Sequence, residues 1–121
     1  MLFRSVWLCQ KQLEKLPAKA IAAIEESELL ISPMVLLELE YLFEIKRIVL
    51  PPQALLNQLE TQIGLRLCDH PYPAIVQTAL FETWTRDPFD RVIVAHARSN
   101  GYAPLVTSDQ KIQEHYPRTI W

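Results

Sequence analysis

The chain has 121 residues, half of them hydrophobic: enough to bury one core without metal or disulfide staples, too few for two, so residues 1–121 are expected to form a single domain. Twelve basic against 14 acidic residues leave a net charge of −2, so no global basic field announces a nucleic acid or an anionic membrane, and any RNA contact has to be local. Two cysteines without metal-ligand spacing and two glycines in the whole chain exclude a structural zinc site and a glycine-rich phosphate cradle.

Met1 to Leu8 is hydrophobic and fits either a strand or a helix, and Gln10 to Lys15 is polar. Pro17 opens a predicted helix to about Ser27, with Ala20, Ile21, Ala23 and Ile24 as its inner stripe. Glu28 to Ile31 reads as a short strand. Ser32-Pro33 is a start signal with a mechanism: the hydroxyl caps a free amide, and proline at the first helical position loses a donor that had no partner. The helix it opens is expected to reach about Arg47, with Glu40, Glu44 and Arg47 on its wet side. Glu38 is set apart, on or beside the apolar stripe of Val35, Tyr41, Leu42 and Ile45.

Pro51-Pro52 marks a loop, Gln53 to Ile63 a helix ended by Gly64, and Leu65 to Cys68 a strand. Asp69 to Pro73 contains two prolines and is irregular, after which Ala74 to about Trp84 is predicted helical. Asp87-Pro88 repeats the cap-plus-proline signal for a helix from Phe89 to Asn100, stopped by Gly101. Asp90 shares a face with Ile93, Val94 and Ala97, so its carboxylate is aimed at the buried side and needs a partner there. Arg91 and Arg98 are placed on the watered face. Leu105 to Thr107 is a strand with Asp109 directly behind it, Gln110 to His115 a short helix and Arg118 to Trp121 a last strand. Strands alternating with helices predict an α/β fold with a parallel sheet covered on both faces and ligands at the carboxyl ends of its strands.

Three acids, Glu38, Asp90 and Asp109, then stand at one sheet edge. Carboxylates gathered this way repel and take up protons unless a divalent ion sits among them, and oxygen-only ligands favour Mg²⁺ or Mn²⁺, which activate water for phosphodiester cleavage. Plainer roles stay open. Asp90 is the third residue after Asp87, as in a capping box; Asp109 is a possible N-cap; Glu38 could pair with a core arginine or lie exposed. His70, His96 and His115 lack metal-ligand spacing and read as structural or surface residues, and Trp7, Trp84 and Trp121 as core or interface anchors. Cys9 and Cys68 read as buried hydrophobes of a reducing compartment. Met1 to Cys9 is too short for a secretory signal and no run reaches spanning length, so a cytoplasmic protein without membrane contact is expected.

Ser32 to Leu39 with its Glu38, Asp87-Pro-Phe-Asp-Arg followed by Val92-Ile-Val-Ala-His-Ala, and Leu105-Val-Thr-Ser-Asp109 together resemble the PIN domain of VapC-type toxins. The resemblance covers nearly the whole chain in order. It implies a three-layer α/β/α sandwich with a parallel central sheet, and a Mg²⁺- or Mn²⁺-dependent endoribonuclease toxin checked by a VapB-type antitoxin, commonly a homodimer. Glu38, Asp90 and Asp109 match three of the family's acidic metal positions, and Thr107 its hydroxyl. The family opens with a central strand ending in Asp. Only five residues precede Val6-Trp7-Leu8 here, and none is acidic, so that first strand is expected to be truncated or absent. A catalytically inactive PIN-like remnant that binds an antitoxin or its own copy is the competing expectation.

Overall fold

The computed structural model describes residues 3–6, 28–107 and 109–121. The predicted helix from Pro17 to Ser27, Trp7 and Cys9 lie outside the described residues. In order, the described elements are β1 (Phe3–Val6), β2 (Glu28–Ile31), α1 (Pro33–Glu44), α2 (Pro52–Ile63) and β3 (Arg66–Leu67). They continue with α3 (Tyr72–Ala79), α4 (Pro88–Ser99), β4 (Leu105–Val106), α5 (Gln110–His115) and β5 (Thr119–Ile120). The fold is α/β. Its sheet has five strands in the order β3-β2-β1-β4-β5, and every described pairing is parallel.

Of the two expectations for the first strand, truncated or absent, only absence is corrected here, since a strand of four residues is present. Phe3–Val6 fills the middle of the sheet, with Ser5 opposite Leu30 on one side and Leu105 on the other, and Val6 opposite Val106. An empty centre would strand the inner backbone groups of both β2 and β4, so a four-residue segment that pairs with both is favoured over none. Its residues, Phe-Arg-Ser-Val, bring no carboxylate.

Local chemistry explains the helix ends. Ser32 Oγ accepts from Met34 N at 3.2 Å to start α1. That helix stops at Glu44, three residues before the predicted end, because Lys46 turns left-handed at φ 63° and Arg47 N closes back on Leu42 O at 2.8 Å. Gly101, at φ 72°, does the same for α4 without the Cβ strain. A second correction concerns Ala74 to Trp84: α3 ends at Ala79, and residues 80–87 form a loop.

The main core joins Leu29 and Ile31 of β2 to Val35 and Leu39 of α1, Leu55 and Leu59 of α2, and Ile93, Val94 and Ala97 of α4. Ile75 and Ala79 of α3 pack on the opposite face of α4, against Val92 and Ala95. Helix α4 is therefore covered on two sides and buried continuously from Val92 to Ala97. Trp84 and Trp121 pack on the edge of the core and Cys68 is buried, as the sequence suggests.

Candidate functional site

Two local motifs of the same form build the site. In Thr85-Arg86-Asp87, Thr85 Oγ1 accepts from Asp87 N at 3.1 Å, and Asp87 Oδ1 caps α4 through Phe89 N at 2.9 Å. In Thr107-Ser108-Asp109, Thr107 Oγ1 accepts from Asp109 N at 3.1 Å, and Asp109 Oδ1 caps α5 through Lys111 N at 2.9 Å and Ile112 N at 3.1 Å. Each threonine is buried and each aspartate is the N-cap of a helix. In both, a fully enclosed hydroxyl fixes the backbone of an acid that has to face outward. In a parallel sheet the helix before a strand runs antiparallel to it, so the start of α4 and the end of β4 lie at the same edge. Helix α1 begins there too, directly behind β2, so Glu38 follows within two turns.

Asp90 stands at the centre of this edge. Its carboxyl is raised from 3.8 to about 7, first by burial, then by the charges of Asp87, Asp109 and Glu38, with Lys111 acting in the opposite direction. Two of the predicted acids, Asp109 and Glu38, thus act through space on the third, Asp90. Asp87, read from sequence only as a cap, joins them. The capping-box role for Asp90 is not adopted, because the backbone N–H of the N-cap residue Asp87 goes to Thr85 Oγ1 instead. Asp109 does cap its helix, and both capping bonds use Oδ1. Thr107 is fully enclosed and orients Asp109 rather than reaching outward itself.

The donor set is oxygen-only and mutually repelling, which is the chemistry a hard divalent cation relieves. Its compactness is another matter: among the described residues no group of three or more His, Cys, Asp or Glu side chains is close enough to hold a metal ion. The residues therefore fit Mg²⁺ or Mn²⁺ in kind, without being gathered, among the described residues, into a set of three ligands. A shallow cleft of about 480 Å³ between the starts of α1 and α2, lined by Pro33, Leu36, Leu37, Glu40, Pro51, Pro52 and Gln53, contains none of the site acids.

Sequence reasoning missed a second charged cluster. Glu82, 3% exposed, pairs with Arg98 Nε through one oxygen and accepts from Trp84 Nε1 at 2.6 Å through the other. Arg98, expected on the watered face, lies over the rings of Tyr102 and Tyr116 at 5.4 and 5.1 Å. Trp84 stacks on His115 at 5.0 Å. This knot ties the loop before α4 to the last turns of α4 and α5, the two helices whose first turns carry the site. The watered place expected for Arg98 is thus corrected to a partly buried one, while His96, read as structural or surface, is buried. Among the described residues no helix is long and apolar enough to cross a membrane.

A family model described as the PIN domain matches residues 5–117 of the chain. No curated protein matches it.

Proposed function

The chain belongs to the PIN domain family, generally a nuclease domain using divalent metal ions, and from that premise we propose that it is a metal-dependent endoribonuclease toxin of a VapBC-type pair, cytoplasmic and built as a three-layer α/β/α sandwich. One observation carries the reading: Asp90 is held at about 7 amid Asp87, Asp109 and Glu38 at the carboxyl edge of a parallel sheet. Asp90, Asp109 and Glu38 are the residues that would hold Mg²⁺ or Mn²⁺. Bound there, the ion would supply an activated water and offset charge developing on the phosphate. Thr107 positions Asp109 by accepting its N–H, and Asp87 presses Asp90 toward the protonated form until a cation or a proton arrives. The test is cleavage of single-stranded RNA by the purified chain in Mn²⁺. Activity lost in chelator and in Asp90→Asn supports the reading; cleavage that survives the substitution sinks it.

A second reading has its own support. With no carboxylate in β1 and no three-ligand group among the described residues, the chain would be an inactive PIN-like module that binds a VapB-type antitoxin or a second copy of itself. Leu37 and Tyr41 of α1 and Ile45 just behind it are exposed apolar residues, as is Phe81 behind α3, 83% exposed. Metal-independent assembly, with no RNA cleavage, would favour it over the nuclease.

A further inference from the structure

The site gathers carboxylates, whereas the substrate proposed for it is a polyanion. The charges of Asp87, Asp109 and Glu38 act on Asp90 at this edge, and the charge opposing theirs there is that of Lys111. Lys111 lies in the first turn of α5, its backbone N–H bonded to Asp109 Oδ1 at 2.9 Å, so its main chain is pinned beside a site carboxylate. Its side chain is exposed, and among the described residues no hydrogen bond or ion pair holds its ammonium. Other cations are engaged elsewhere: Arg91 Nε with Thr85 O at 2.8 Å, Arg98 with Glu82, and Arg118 with Tyr102 O at 2.7 Å.

We propose that Lys111 receives a phosphate of single-stranded RNA at the acidic edge and so sets where the strand lies relative to Asp90 and Asp109. The proposal rests on the nuclease reading. Lysine suits the task as a point charge on a flexible stem, able to meet a phosphate without the fixed planar fork of arginine. Four acids at the site of a chain with net charge −2 repel an arriving strand, and among the charges that act on Asp90 that of Lys111 opposes them.

The experiment is fluorescence anisotropy of a labelled single-stranded RNA in EDTA, titrated with wild type, Lys111→Met and Lys111→Arg from about 20 to about 200 mM salt. EDTA removes both cleavage and the metal's own charge. One lost phosphate contact on a single strand makes the dependence of log affinity on log salt shallower by about 0.7. Lys111→Met is expected to show that change with at least a threefold loss of affinity at low salt, and Lys111→Arg to keep wild-type behaviour. A Lys111→Met chain with the wild-type slope and affinity overturns the proposal, as does a loss that Lys111→Arg shares. Wild type that binds no RNA at the lowest salt overturns the assignment, whereas the nuclease reading stands or falls separately on cleavage in Mn²⁺.

Discussion

Replacing Asp90 by Asn tests the charge balance of the site before any ligand is added. In the folded chain this carboxyl is raised from 3.8 to about 7 by burial first and then by three neighbouring acids. A raised carboxyl pKa means that the fold binds the proton more tightly than the unfolded chain does. Below about pH 4 both states are protonated and the fold suffers no penalty; as pH rises from there through 7, stability is progressively lost. A shift of roughly 3 units corresponds to about 4 kcal/mol at full value, and screening at a part-exposed carboxylate reduces it to roughly 2 kcal/mol. Asn keeps the shape and removes the charge. In EDTA at pH 8 the variant should therefore be more stable than wild type by about 2 kcal/mol, raising Tm by roughly 8 °C for a domain of this length. At pH 4 the difference should vanish. Adding Mn²⁺ at a hundred times its dissociation constant should lift wild type by about 2.7 kcal/mol and leave the variant unmoved, reversing the order. Thermal melts followed by circular dichroism read all of this. A variant that melts at or below wild type in EDTA at pH 8 would show that Asp90 is a structural partner, and the electrostatic argument would be wrong.

Four other substitutions or titrations probe the frame around the site. Glu82→Ala strands Arg98 and Trp84 Nε1; because Arg98 is partly solvated the cost should be about 2 kcal/mol, at the low side of a broken buried pair, with Glu82→Gln milder since it can still accept from Trp84. Urea unfolding measures both. Thr107→Val keeps the volume but removes the acceptor for Asp109 N, and should cost about 1–2 kcal/mol by the same assay. Lys46→Gly relieves a left-handed residue at the end of α1 and should stabilise by about 0.5–1 kcal/mol, whereas a loss would mean that the lysine side chain has a role there. His96 is fully buried with its pKa lowered chiefly by burial, so its contribution is present above the ordinary histidine value and lost as pH falls through the lowered one; an NMR titration should find its ring protonating at lower pH than a solvated histidine.

Much of the fold was legible because its signals are local. Serine or aspartate followed by proline sets a helix start whatever the surroundings, and α1 and α4 begin where Ser32-Pro33 and Asp87-Pro88 say. The three acids proposed for the site could be singled out for a related reason: each stands within a few residues of a strand end or helix start, and a parallel sheet brings those points to one edge. Thr85 and Asp87 could have been found by the same means, since Thr85-Arg-Asp87 repeats the pattern of Thr107-Ser-Asp109. The end of α1 was misjudged because a lysine, Lys46, takes the left-handed position that sequence rules assign to glycine.

The sequence by itself therefore determined the elements, the caps and the chemical character of the site, all set by hydrogen bonds spanning two to four residues. Only the tertiary structure decided three further matters. It placed Phe3–Val6 in the centre of the sheet, where unpaired backbone on both flanks outweighs a short and uncharacteristic sequence. Glu82 was joined to Arg98 across 16 positions, because a carboxylate withdrawn from water has to find its cation wherever the packing brings one. Asp90 was raised to about 7, since that value depends on burial and on distances to three other acids, and neither quantity exists until the chain has folded.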